Sequence, residues 1–406
     1  MSAPARGSGR PGISTHSVVA NLLLAAAALA AFLAAAEGVC RLVDLRPRMG
    51  SAMANPPWMQ NRWLLARDDY RKAFADEGFL GRYYEVYEWD RWLFYRLRPN
   101  RELSFLDPFA PREGRESTRW TVHTSAQGYR TKPFEPKPAP GRRRVVALGD
   151  SSTFCWGVEG TEAYPARLEE SLDQREGGGA RWEVLNLGVP GYSTFQGRVM
   201  LERQALGLAP DVVTWSYLAN DGAMTGEADR ATYAQRQGWL GAALEFAHHS
   251  RAYETLEAWI ARLRRADGEH PATNVRNVAS YAEASANIGD AIQIARQAGV
   301  PLVLVANCVR GPVAEVVARV ARETGTPYLD ATALVDAAVP QIAQDPAFAA
   351  DRERLAQRYG AEALAANPAL YGFLPDRCHP NRIGHRVIAD ALGEIVARAA
   401  GPESAR

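Results

Sequence analysis

An excess of charge of either sign is what this sequence most lacks: 47 Lys and Arg stand against 46 Asp and Glu, a net of +1. No long-range field draws such a chain to nucleic acid or acidic surfaces. The positive charge is nearly all arginine, scattered among acids as on ordinary solvated surface, so no nucleic-acid partner is expected. Histidine and cysteine are also scarce, at seven and four, and no cluster of His, Cys and carboxylate shows ligand spacing. Neither a Walker nor a dinucleotide glycine pattern is present. No metal and no cofactor is therefore expected. There is no internal repeat, and the oligomeric state cannot be read.

What the sequence has is one long apolar run at its start. Residues 18–36 carry no charge, and Asn21 is their only strongly polar side chain. At about 20 residues the run is long enough to cross a bilayer as a helix. Three readings compete. A signal peptide fits the basic start (Arg6, Arg10) and the small residues Ala34, Ala35 and Ala36. However, the run exceeds a usual signal core and continues past Glu37 into Val39, Leu42 and Val43. A buried helix apolar on every side rarely finds enough core at a terminus. A membrane anchor over residues 1–40 is the expectation carried forward, with secretion after cleavage as the alternative. Orientation stays open, because Arg6 and Arg10 precede the run and Arg41, Arg46 and Arg48 follow it. Cys40 has poor neighbours for lipid attachment in Glu37 and Val39.

Residues 41–140 lack aliphatic runs but are dense in rings, among them Trp58, Trp63, Tyr70, Tyr83, Tyr84, Tyr87, Trp89, Trp92, Phe94 and Tyr95. Such a segment has no core of its own, so packing on a larger domain is expected, with an aromatic sugar platform as the sharper alternative. The proline-rich residues 133–140 read as a stiff linker. From 141 to 401 the pattern changes. Short apolar runs at 145–148, 182–187, 212–218, 301–305 and 328–329 read as buried strands. Helical patterns at 163–172, 195–206, 281–298, 313–324 and 382–400 lie between or after them. That alternation predicts an α/β domain, a parallel sheet with helices on both faces. A helical insertion at about 222–275 and the stretch 336–373 are candidate walls or a lid, since open α/β sheets bind ligands beyond the C-terminal ends of their strands.

Four short blocks fall at those ends. Gly149-Asp150-Ser151 follows the first strand, and Asn186 to Gly191 follows the second. Leu218-Ala219-Asn220-Asp221 follows the third, and Asp376-Arg377-Cys378-His379 precedes the last helix. A serine on the first turn is exposed at the sheet edge. Asp376 and His379 are three apart, so one turn of chain can hold the carboxylate against the imidazole it must orient. His248, His249 and His385 have no aspartate at that spacing. Asp221 reads as a brace for its turn.

In this order the blocks resemble the SGNH/GDSL hydrolase superfamily, from about residue 143 to the C-terminus. The resemblance implies a three-layer α/β/α fold with a five-stranded, flavodoxin-like parallel sheet. It assigns Ser151 as nucleophile, His379 as base and Asp376 as its orienting carboxylate. Ser151, Gly191 and Asn220 would form the oxyanion hole. One departure is Leu218, which stands where the family usually has glycine. The implied activity is hydrolysis of carboxylic esters through an acyl-enzyme, with the catalytic domain outside the cytoplasm. An acyltransferase and a lipid-directed lysophospholipase or lipase use the same parts. A non-catalytic scaffold would not need all four. Mixed polar and aromatic residues beside the blocks (Thr153, Phe154, Trp156, Tyr192, Ser193) favour a short acyl group on a small-molecule or glycan alcohol. Cys155, Cys308 and Cys378 should all lie near the same sheet edge. Cys308–Cys378 is the first choice for a disulfide, and separate buried thiols are the alternative.

Overall fold

Five strands form one parallel sheet, four of them buried and the edge strand β5 half-buried: β1 (Arg143–Gly149), β2 (Trp182–Asn186), β3 (Val212–Ser216), β4 (Leu302–Ala306) and β5 (Tyr328–Asp330), in the order β5-β4-β3-β1-β2. This computed structural model describes residues 15–47, 79, 81–106, 119–225, 227–266 and 275–401. Arg6, Arg10, Arg48, Trp58, Trp63 and Tyr70 lie outside them. Ala147 pairs with Asn186 on one side and Thr214 on the other, and Gly149 pairs with Ser216. β1, β2 and β3 therefore end at one edge, where the first three sequence blocks emerge.

Alternation along each strand splits the core in two. Val146, Leu148, Val213, Trp215 and Leu304 pack against α4 (Thr194–Met200), α8 (Tyr281–Gln297) and α9 (Pro312–Thr324). Val145, Val212, Val303 and Val305 pack against α3 (Tyr164–Arg175), α10 (Ala331–Gln344) and α11 (Arg382–Ala400). Side chains such as Ile288 and Leu172, fully buried there, contribute roughly 1.5–3 kcal/mol each by leaving water. The helices are capped by their sequence. Asn381 accepts from Ile383 N and Gly384 N to start α11, and Pro312 opens α9, which stops at Gly325 in the left-handed region. Three boundaries differ from expectation. β4 starts at Leu302, with the Pro301 carbonyl accepting from Val213 N. The helical pattern at 195–206 changes to a wider π turn over Leu201–Ala205. β3 stops at Ser216, because Leu218 takes φ +121°, which no extended ladder accommodates.

The ring-rich residues form two antiparallel ribbons, Tyr87–Asp90 with Phe94–Leu97 and Glu102–Leu106 with Arg119–His123. Tyr87, Phe105 and Trp120 are buried in the same cluster that covers one face of the sheet. Arg144, fully buried, donates to the carbonyls of Glu135 and Pro136 and pairs with Glu183, which ties the proline-rich stretch down. The insertion after β3 holds α5 (Asp229–Arg236), α6 (Trp239–Ala247) and α7 (Arg251–Ala266). α1 (Thr15–Leu42) is long and apolar enough over Val18–Leu42 to cross a membrane; no residue of an 18-residue apolar window within it is buried, and Cys40 near its end is.

Candidate active site

The turn leaving β1 is built on Asp150. Its Oδ1 accepts from both Ser152 N and Ser152 Oγ at 2.8 Å, capping the one-turn helix α2 (Ser151–Phe154). Ser152 is thus fully buried with its hydroxyl engaged, whereas Ser151 is half-buried at the sheet edge. The Ser151 Oγ lies 2.8 Å from His379 Nε2. On the other side of that ring, Nδ1 lies 2.5 Å from Asp376 Oδ2. Asp376 Oδ1 accepts from Cys378 N and His379 N, each at 3.0 Å, so the three-residue spacing folds as a turn capped by its own aspartate.

The charges in this row are biased by their neighbours. Burial pushes the Asp376 carboxyl up, but the His379 charge, the ring N–H and the two backbone donors outweigh it and hold it below its ordinary value. Burial alone would push His379 down. The carboxylate of Asp376, with a smaller contribution from Asp150, leaves it raised instead. Asp150 itself is raised, mainly by burial.

Gly191 has φ +87°, and a Cβ there would lie 2.5 Å from the hydroxyl of Tyr95. Tyr95 Oη donates to the Pro190 carbonyl at 2.9 Å. At Gly188 a Cβ would come within 2.1 Å of Phe154 N, so only glycine lets the loop after β2 lie against α2. Asn220 is half-buried beyond β3, with Nδ2 3.2 Å from Asp150 Oδ2 and 3.1 Å from the Tyr192 carbonyl. Both amide hydrogens thus have protein partners in this unliganded arrangement. Asp221 accepts from Thr194 N and Thr194 Oγ1, bracing the start of α4. His385 is buried beside Tyr164, where burial pushes its pKa down to about 3. His248 stacks on Trp89 in the insertion.

Cys308 and Cys378 form a disulfide across 70 residues, with Cα atoms 4.4 Å apart, joining the end of β4 to the His379 turn. Their sulfurs and a His379 nitrogen lie close together, but sulfurs bonded to each other are not thiolate ligands. Cys155 remains a buried thiol, pushed up to about 12 by burial.

Three neighbours of the site belong to none of the four sequence blocks. Tyr95 comes from the ring-rich ribbons. Arg130, wholly buried, donates to the carbonyls of Phe154, Cys155 and Val158 at 2.6–2.7 Å, and burial lowers its pKa to about 10. The Trp156 ring is 6.2 Å from the His379 ring. A lone Tyr or Arg matches no motif and reaches the site only through tertiary packing, whereas Trp156 is expected there from its place in the loop after Ser151.

The family model for GDSL-like lipase/acylhydrolase proteins matches residues 147–387. No curated protein matches this chain. Among solved structures it is similar to the lipase/acylhydrolase from Enterococcus faecalis (17% identity, 65% of this chain and 100% of that one, TM-score 0.36). It is also similar to a catalytic mutant of an acetylxylan esterase from Geobacillus stearothermophilus (17%, 63% and 94%, TM-score 0.34). A third is an α/β hydrolase enzyme from the metagenome of Lake Arreo, Spain (18%, 63% and 94%, TM-score 0.36). With more than half of its length matched by the family model, this chain belongs to the GDSL-like lipase/acylhydrolase family.

Proposed function

We propose that this protein is a membrane-anchored serine esterase in which Ser151, His379 and Asp376 carry out acyl transfer. The observation that carries the reading is the unbroken row Ser151 Oγ–His379–Asp376, with spacings of 2.8 and 2.5 Å. His379 Nε2 takes the Ser151 proton as Oγ bonds to the ester carbonyl carbon, and the carbonyl π electrons move onto oxygen. That oxyanion accepts from Ser151 N, Gly191 N and Asn220 Nδ2, the last exchanging one of its present partners. When the tetrahedral centre collapses, the C–O bond to the alcohol breaks and His379 protonates the departing oxygen. Water then gives a proton to His379 and attacks the acyl carbon; the bond from that carbon to Ser151 Oγ breaks, His379 returns the proton to Oγ, and a carboxylic acid leaves. Asp376 fixes the ring tautomer and stabilises the imidazolium. Removal of one such oxyanion donor typically costs ~10²–10³ in rate.

A short acyl group on a polar or carbohydrate alcohol is the substrate class. Its support is the bulk around Ser151: Trp156 stands beside His379, and Tyr95 closes on Gly191. The domain lies outside the cytoplasm. The apolar α1 and a disulfide beside the base support that placement.

A serine-directed fluorophosphonate should label the wild type at Ser151 and leave Ser151→Ala unlabelled. Absence of labelling in the wild type removes the enzymatic reading. With aryl esters, kcat/KM should fall from acetyl to decanoyl, and a steady rise would make the substrate a lipid.

A further inference from the structure

α6 and α7 turn large apolar side chains outward. On α7, Leu256, Trp259, Ile260 and Leu263 recur at i, i+3, i+4 and i+7, one face of a helix, and are exposed by 52, 59, 39 and 45%. On α6, Trp239 and Phe246 lie two turns apart and are each 82% exposed. The seating of α7 is polar instead: Glu254 is buried and pairs with Arg98 Nη2 at 2.5 Å. A water-facing helix would be arranged the other way round. An apolar patch of this kind on a folded surface marks a partner.

The geometry points to the lipid bilayer as that partner: α6 and α7 form an interfacial platform that seats the catalytic domain on the membrane crossed by α1. This rests on the reading of α1 as an anchor. The link between them is physical. Near the end of the apolar helix, Glu37 Oε2 accepts from Ser250 Oγ at 2.7 Å and Ala252 N at 3.0 Å, and its Oε1 accepts from Arg251 N at 3.2 Å. Arg41 Nη2 donates to the His249 carbonyl at 3.0 Å, and Asp44 pairs with Arg251. Glu37 thus holds the first N–H groups of α7, so α7 begins where α1 leaves its uncharged stretch.

At 16 residues, α7 extends only about 24 Å from that point. Laid along the bilayer surface from there, as the platform requires, its apolar row reaches the head groups. Tryptophan is the side chain best suited to head-group depth, and Trp239 and Trp259 supply it. Arg262 and Arg264, both exposed beside the row, suit anionic phospholipid head groups. Large apolar chains on one face with arginines at its margin are the composition of a helix lying in the interface plane.

The test is photolabelling of the full chain in nanodiscs of mixed zwitterionic and anionic phospholipid, with a diazirine on the acyl chain near the head group. Peptides from α6 and α7 should carry label together with α1, and peptides from α8 and α9 should not. Label on α1 without α6 and α7 overturns this inference and leaves the anchor standing, whereas label on none of the three overturns both. Crosslinks joining α7 of one copy to α7 of another would make the face a dimer interface and also overturn it. A Trp239→Ser, Phe246→Ser, Trp259→Ser variant should keep its melting temperature and its hydrolysis of a soluble ester. It should lose label at α6 and α7 severalfold while keeping it on α1. Unchanged labelling in that variant counts against the platform.

Discussion

The hydroxyl of Tyr95 donates to the carbonyl of Pro190 at 2.9 Å, and that carbonyl belongs to the same peptide unit as the Gly191 N–H. In a trans peptide the C=O and N–H point in opposite directions, and this structure has no cis bond among the described residues. By holding the carbonyl on one side, Tyr95 aims the N–H to the other. It also approaches so closely that no Cβ fits at Gly191. Tyr95 is therefore a positioning residue for the proposed oxyanion hole, and it lies outside the residues 147–387 matched by the family model. Tyr95→Phe should lower kcat by about tenfold, less than loss of a donor itself, with KM nearly unchanged. Steady-state kinetics on a soluble ester decide this: an unchanged kcat, or a loss confined to KM, counts against the role.

The two adjacent serines should behave differently. Ser151→Ala should cost on the order of 10⁴–10⁶ in kcat with little change in stability. The Ser152 hydroxyl instead satisfies buried Asp150, so Ser152→Ala should destabilise by about 1–3 kcal/mol while keeping most of the activity. Thermal unfolding and initial rates separate the two variants. A dead but stable Ser152→Ala would shift the nucleophile by one residue.

Much of this arrangement is legible along the chain because it is local. The four central strands are almost wholly buried, so each reads as a short, mainly apolar run, whereas β5 at the sheet edge is half-buried and leaves a weaker signal. Asp376 and His379 sit in one turn, so their spacing is visible without tertiary structure. Tyr95 and Arg130 are not legible, because what they do depends on contacts between distant segments; Trp156 is legible as a neighbour of Ser151, but its approach to the His379 ring is not. Arg130 reaches Phe154 from 24 positions away, and Tyr95 reaches Pro190 from 95. The insertion shows the limit of periodicity from the other side. Its leucine pattern marks helices correctly, yet Leu240, Leu256 and Leu263 turn outward, a direction no amphipathic pattern contains.

Acid should switch the site off above the ordinary imidazole range. The pKa of His379 is raised from 6.5, since burial is outweighed by Asp376 and, less, by Asp150. Only the neutral ring can accept the Ser151 proton, so the acid limb of kcat/KM should lie above 6.5. Asp376→Asn should move that limb down and lower kcat through loss of the tautomer. The sign for stability is separate. A raised folded pKa means that the His379–Asp376 contribution is complete below the unfolded imidazole value and fades as pH rises through the folded one. Asp376, held below its ordinary value, contributes above the unfolded carboxyl value, and that part is lost as pH falls through the folded one. A pH–rate profile with its limb at or below 6.5 would show that the carboxylate does not control the base.

Leu218 sits at φ +121°, backbone that glycine adopts freely and a branched side chain does not. The family usually has glycine here, and this chain keeps the glycine-like shape with leucine in its place. The turn matters, since the Leu218 carbonyl accepts from Asp221 N at 3.2 Å and Asn220 lies between them. Holding leucine in that region costs about 1–3 kcal/mol. It persists because the side chain is only 2% exposed and its burial offsets the strain. Two substitutions separate these effects. Leu218→Ala loses the packing but keeps the strained backbone, so it should destabilise by about 2–5 kcal/mol. Leu218→Gly loses slightly more packing but relieves the strain, so it should be more stable than the alanine variant by on the order of 1 kcal/mol. That reverses the usual order of alanine and glycine. Denaturant midpoints of the two proteins measure the difference directly. If the alanine variant is the more stable, Leu218 stores no strain and the turn before Asn220 is held by something else.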